Sequence, residues 1–223
     1  MPKVSIIAID GPAASGKTVV GRLLSSQLGF QFLDTGLMYR AVTLVAIQQS
    51  TPLSDDAALT TLAAKTQIAI TDTPDGARVL VNNHDVTGSL RDPEVEAAVS
   101  RTSAVAGVRA VLVAKQREMA AAGSIVMAGR DIGTVVLADA DIKVYLEASA
   151  EERAKRRGLE KSGTDDKESV GAVQKDLEAR DKQDSQRASS PLRPADDAHI
   201  IQTDGLSIEQ VVAKIAQLVA ARS

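Results

Sequence analysis

Eight residues, Gly11-Pro12-Ala13-Ala14-Ser15-Gly16-Lys17-Thr18, constrain this chain more than any others, because they fit the pattern G-x-x-x-x-G-K-[ST]. The pattern has a physical basis. Glycines at both ends let the backbone curl until its N–H groups point inward. With a helix N-terminus behind them, those dipoles hold phosphate oxygens. Lys17 adds a mobile point charge for the outer phosphates, and Thr18 offers a hydroxyl to Mg²⁺. The context agrees. Residues 4–10 form an apolar run that reads as a buried strand. Val19, Val20, Leu23, Leu24 and Leu28 then recur at helical spacing, and Gly29 ends the helix. The donor site so expected comprises Gly11, Pro12, Ala13, Ala14, Ser15, Gly16, Lys17, Thr18 and Val19. It specifies a nucleoside triphosphate and not what is done with it, since GTPases, ATPases and small-molecule kinases all use such a loop.

The rest of the 223 residues suits a sheet covered by helices. Apolar residues are 44% and aromatics only 2%, so the core rests on Val, Ile, Leu and Ala. Cysteine is absent, which excludes disulfides, thiolate metal sites and a cysteine nucleophile. The net charge, 26 − 29 = −3, gives no support for nucleic-acid binding. No apolar run is long enough to span a bilayer, and no basic region with a cleavage site precedes the first strand. The expectation is a cytoplasmic protein with no membrane partner. A monomer is expected as well, since no exposed apolar patch stands out.

Along the chain, strands at 4–10, 30–33, 124–128, 142–146 and 199–202 alternate with helices at 18–28, 37–48, 150–157, 168–187 and 207–220. That alternation predicts an α/β fold with a central parallel sheet and right-handed crossovers. Residues 51–92 differ. A helix at 55–66 is followed by alternating runs at 67–71, 77–82 and 84–87, with turn signals at Asp75-Gly76 and Asn82-Asn83. This predicts a small antiparallel sheet inserted into the chain. Two helices, 93–103 and 105–122, lead back to the main sheet. Residues 158–167 are polar and contain glycine, and read as a break suited to a mobile lid.

Ligands on parallel sheets bind at the C-terminal ends of the strands, and other charged motifs fall there. Asp34-Thr35-Gly36-Leu37-Met38-Tyr39-Arg40 follows the second strand. Thr35 is placed to hydrogen-bond a ligand, Arg40 can hold a phosphate bidentately, and Tyr39 can pack on a flat base. A surface ion pair for Arg40 and plain packing for Tyr39 are the alternatives. Gly129-Arg130-Asp131 closes another strand. There Arg130 can contact an acceptor and Asp131 orient it, unless the two form a structural pair. Arg180, Asp184 and Arg187 stand at i, i+4, i+7 on one helical face, and Arg153, Arg156 and Arg157 precede the break. A solvated charged face is the plainer reading of both groups. Phosphoryl transfer, however, needs cations that meet the charge spreading onto the transferred group.

Taken in order, these blocks resemble the bacterial cytidylate kinases. They are Ile9-Asp10-Gly11-Pro12 with Gly16-Lys17, Leu33 to Arg40, Ala128-Gly129-Arg130-Asp131-Ile132-Gly133-Thr134, and Arg180-Asp181 with Asp184, Arg187 and Pro191-Leu192. The last three are far more specific than the phosphate loop. The resemblance implies a P-loop kinase whose core comprises residues 1–36 and 93–223, with a lid at about 155–167. It implies an enlarged nucleoside-monophosphate-binding subdomain at 37–92. It also implies transfer of the γ-phosphoryl of ATP to CMP or dCMP with Mg²⁺. On that basis Asp34, Thr35, Tyr39, Arg40, Ser100, Arg109, Arg130 and Asp184 surround the acceptor, with Ser100 near the cytosine and Asp131 near the sugar. Arg180 and Arg187 serve the nucleotide or the transferred phosphoryl, so that Lys17, Arg130, Asp131, Arg180 and Arg187 are the expected catalytic set. Arg156 and Arg157 belong to the lid. The chain departs from the pattern at Ala128, where relatives often carry an acid, and at Thr35, where serine is common. It also has fewer arginines around Lys182-Gln183. Rival readings are a kinase for another small acceptor, such as UMP, and a nucleotide-dependent switch. The absence of an Asn-Lys-x-Asp run weighs against a GTPase switch.

Overall fold

The computed structural model describes residues 4–73, 76–162 and 167–222. Its main sheet begins with β1, Ile6–Asp10, whose alternating residues are buried on both faces, as expected of a central strand. β1 pairs in parallel with β6, Ile125–Gly129, on one side and with β7, Ile142–Glu147, on the other. β8, His199–Gln202, adds in parallel to β7, and β2, Gln31–Asp34, lies beside β6. The order is β2-β6-β1-β7-β8. The expected central parallel sheet is therefore present.

The chain divides into two compact units, Met1–Phe32 with Gly123–Ser223, and Leu33–Ala122. In the first, Ile7, Ile9, Val126, Val144 and Leu146 project from one sheet face. They pack against Val20 and Leu24 of α1, Lys17–Leu28, and against Val212 and Ile215 of α8, Ile208–Arg222. Each such fully buried aliphatic side chain contributes about 1.5–3 kcal/mol. α1 lies so close to the sheet that a Cβ on Gly21 would sit 2.4 Å from Cε2 of Phe32. Gly21→Ala is therefore expected to lower unfolding stability in urea by about 1–3 kcal/mol, despite alanine's better helix propensity. A neutral or stabilising change would show that Phe32 yields freely.

The second unit contains the antiparallel sheet β3, Ile68–Thr73, β4, Gly76–Val81, and β5, His84–Asp85. The turn expected at Asp75-Gly76 falls partly on residues 74–75, outside the described residues. Val79 and Val81 turn inward onto Ala41, Leu44 and Val45 of α2, Gly36–Gln48, and onto Val95 of α4, Pro93–Ala104. Lys115 on α5, Ala106–Ala120, donates to the carbonyl of Thr66 at 2.7 Å, just beyond α3, Asp56–Lys65. Arg101 of α4 pairs with Asp56. These contacts place 93–122 with the small sheet, whereas the sequence reading grouped those residues with the phosphate-loop core.

Two local features differ from the sequence reading. α6 runs Ala150–Ser162, so the helix continues through the first part of the expected break. Residues 163–166 of the expected lid lie outside the described residues, and α7, Lys167–Ser185, follows. Between β6 and β7 the chain makes a π-helical turn, Ile132–Val136, which no periodicity announces. Among the described residues, no single helix is long and apolar enough to cross a membrane.

Candidate nucleotide-binding site

In the first unit the phosphate loop joins β1 to α1. Gly11 has φ 149°, and a Cβ there would come within 2.3 Å of the Leu146 carbonyl oxygen, so only glycine fits this junction. Lys17 is buried, and its ammonium donates to the Pro12 carbonyl at 2.5 Å and to Ser15 Oγ at 3.1 Å. Its charge is thus centred inside the loop. Arg156 reaches the same place, since a Cβ on Gly16 would lie 3.9 Å from its Nη1. Arg156 donates to the Thr203 carbonyl and hydroxyl, each at 3.0 Å, and pairs with Glu152. A cavity of about 390 Å³ opens beside Pro12, lined by Tyr145, Glu147, Ala148, Ser149, Gln202 and Asp204. Burial, with Glu147 next in effect, pushes the Tyr145 hydroxyl up to about 12, so it stays a donor.

At the end of β6, Arg130 Nε donates to Asp184 Oδ2 at 3.0 Å. Arg187 Nη1 lies 3.5 Å from Asp184 Oδ1, and its other nitrogens donate to the carbonyls of Asp184 and Ser190. Asp184 is 4% exposed. One buried carboxylate thereby braces two guanidinium groups from distant segments. Arg180 and Arg157 sit on α7 and α6 respectively. Asp131 is also buried, and its carbonyl accepts from Val135 and Val136 at the π-turn.

In the sequence Asp10 is the end of a strand and part of the block Ile9-Asp10-Gly11-Pro12, with no role of its own assigned. In the structure its two carboxylate oxygens accept the N–H groups of Ile132, at 2.8 Å, and Gly133, at 2.7 Å. It ties the phosphate-loop strand to the turn that follows Arg130-Asp131. Burial pushes this carboxyl up to about 6. The two backbone N–H groups oppose the shift, Asp131 adds to it, and Lys17 opposes it. The unfolded carboxyl loses its proton near 3.8 and the folded one near 6, so unfolding in that window releases a proton. This contribution is present in full below pH 3.8 and is lost as pH rises through about 6, amounting to about 3 kcal/mol. Urea unfolding from pH 4 to 7 is expected to show this slope in the native chain and not in Asp10→Asn. Equal slopes in both would contradict it.

In the second unit Asp34 Oδ1 accepts the Gly36 N–H at 2.9 Å, and buried Thr35 precedes the first turn of α2. Tyr39 is buried, with the Arg109 guanidinium 5.2 Å from its ring centroid, a cation–π geometry. Arg109 Nη1 donates to the Ser103 carbonyl, one turn beyond Ser100 on α4. Arg40 donates to the Leu90 carbonyl at 3.1 Å and lies 3.5 Å from Glu96. The Arg40 and Glu96 side chains are both mostly buried, so Arg40 is no loose surface arginine. Within this unit Tyr39 and Arg109 meet directly. Glu96, absent from the sequence reading, is a second residue whose role shows only when α2 and α4 are packed.

The cytidylate kinase family model matches residues 7–221. A cytidylate kinase of Bacillus velezensis is 44% identical over 223 residues, covering 100% of each chain. One from Pelotomaculum thermopropionicum is 47% identical, covering 96% of each. Among solved structures, shikimate kinase of Bacteroides thetaiotaomicron superposes with a TM-score of 0.50 at 12% identity, over 97% of this chain and 98% of that one. That likeness speaks to the fold alone. Matched from its first strand to its last helix, this chain belongs to the cytidylate kinase family.

Proposed function

We propose that this enzyme transfers the γ-phosphoryl group of ATP to CMP or dCMP, giving ADP and CDP or dCDP. The observation that carries the reading is the buried Arg130–Asp184–Arg187 cluster, in the same compact unit as the phosphate loop. An oxyanion-rich transition state needs cations fixed before the reaction, and a shared carboxylate fixes two. Lys17, Arg130, Arg180 and Arg187 meet the charge of the transferred group, with Arg156 and Arg157 on the donor side. Thr35, Tyr39, Arg40, Ser100 and Arg109, with Asp34 shaping the turn, hold the acceptor. Region 37–92 then acts as the acceptor-binding region, joined by α4 and α5. The acceptor phosphate is already anionic, so no strong general base is required. Both Asp184 oxygens are engaged by arginines, so the carboxylate is assigned to bracing them. Asp131 is assigned to orienting the sugar.

Thr18 fits a Mg²⁺ carried on the donor phosphates. Among the described residues no cluster of three carboxylate, imidazole or thiolate groups could build a cage. Mg²⁺ commonly keeps waters and takes phosphate oxygens with few protein ligands. When bound, it neutralises phosphate charge. The protein is proposed to act as a cytoplasmic monomer, which light scattering of the purified chain tests.

The decisive experiment measures ADP formation from ATP and Mg²⁺ with CMP, dCMP, UMP and AMP in turn. CMP and dCMP are expected to be preferred by at least about tenfold, since buried polar groups matched to one base reject another. Preference for UMP, or no acceptor-dependent ADP with CMP and dCMP, would overturn the assignment.

A further inference from the structure

The backbone of Ala13, the third residue of the phosphate loop, is gripped from both sides by residues remote in sequence. Asp181 Oδ1, on α7, accepts the Ala13 N–H at 3.1 Å. Arg153 Nη1, on α6, donates to the Ala13 carbonyl at 3.2 Å. The two side chains also pair with each other through Asp181 Oδ2, closing a ring of contacts. Arg153 is anchored in turn, its Nε donating to the Ala148 carbonyl just past β7 at 3.2 Å. Apolar contacts follow the same path, as Ala13 packs with Ala154 and Leu177, flanked by Ala14 and Val173. Arg153 is 7% exposed, so this is an interior contact.

The neighbouring residue shows what the grip opposes. Ala14 has φ 58°, a left-handed conformation that costs a residue with a side chain. A loop containing such a residue needs external contacts to hold it in one shape. Lys17 and the inward-facing amides depend on that shape. Ala13 N–H is spent on Asp181, so the grip bears on the loop from outside the cradle.

We infer that Asp181 and Arg153 are positioning residues that clamp Ala13 and thereby hold the phosphate loop in its phosphate-binding shape. The inference rests on the loop being the ATP site, and it deepens that reading by naming what preorganises it. Neither residue need touch the nucleotide. The Asp181 carboxylate serves two donors at once, whereas an amide has a single acceptor oxygen and must give one of them up.

The test measures dissociation constants of ADP and of CMP separately, by calorimetry without phosphoryl transfer. The proteins are the native chain, Asp181→Asn, Arg153→Lys and the double variant. In each single variant, ADP binding is expected to weaken about tenfold while CMP binding changes less than about threefold. In the double variant the ADP loss should fall well short of the product of the two, because both changes break one ring. A purely structural role would lower the melting temperature and shift both ligands alike, and that outcome overturns the inference. So do unchanged ADP binding and multiplicative losses. If Asp181→Asn does not fold, Arg153→Lys alone decides: native-like ADP affinity refutes the clamp. Failure of the native chain to bind ADP would instead refute the donor-site reading itself.

Discussion

Replacing Lys17 with methionine is expected to lower kcat by about 10³-fold while leaving the melting temperature within about 3 °C. The two halves of that expectation have different origins. In the structure the ammonium donates to groups of its own loop, Pro12 O and Ser15 Oγ. Methionine keeps the apolar stem, and the loop is held from outside by Asp181 and Arg153, so the fold loses little. The rate loses much more. A preorganised cation aimed at developing negative charge contributes about 3–4 kcal/mol to a transition state in a water-poor site. Lys17→Arg is not expected to rescue, because a planar guanidinium cannot occupy the position of a compact ammonium between Pro12 O and Ser15 Oγ. Steady-state kinetics with saturating CMP, beside a thermal melt, would check both. A kcat within tenfold of native would remove Lys17 from the catalytic set.

Asp184→Ala is expected to act through stability and chemistry together. The carboxylate lies 3.0 Å from Arg130 Nε and 3.5 Å from Arg187 Nη1, with side chains 6%, 21% and 4% exposed respectively. Removing it takes the carboxylate away from both guanidinium groups. Breaking a buried pair from one side costs about 3–5 kcal/mol, which in a chain of this size lowers the melting temperature by roughly 10 °C. kcat/KM for CMP should fall by about 10²-fold or more at a temperature where the variant stays folded, because Arg130 loses its Asp184 partner and Arg187 keeps only backbone acceptors among the contacts described above. Asp184→Asn should cost less stability, since an amide oxygen can still accept from one arginine. A melting temperature unchanged in Asp184→Ala would mean the arginines are balanced by other partners, and the cluster would lose its claim as the brace of the site.

Glu96 and Arg40 illustrate how residue type and residue use separate. Arg40, proposed above to hold the acceptor, lies on the first turns of α2. Yet its geometry is set by Leu90 and Glu96, fifty or so positions downstream. The same holds for Asp10, which the strand pattern presents as a terminus and the fold uses as a double acceptor for the π-turn.

The sequence by itself determined the features built from neighbouring residues. The phosphate loop needs only its own eight positions and the strand and helix beside them. β8 is legible to the residue, and the alternation of strands and helices announces the parallel sheet. The blocks around Thr35–Arg40, Gly129–Asp131 and Arg180–Arg187 are each short and local, which is why a family resemblance could be drawn from them. Tertiary structure decided everything that rests on pairing across the chain. Nothing in the local pattern couples Asp10 to Ile132 and Gly133, Arg130 to Asp184, or Ala13 to Asp181. It decided that α4 packs with the small sheet through Val95, that α5 is tied to the end of α3 through Lys115, and that α6 continues to Ser162. The reason is common to all of these. Periodicity reports which face of an element is buried, but a hydrogen bond or ion pair depends on which other element covers that face, and only the folded chain specifies it.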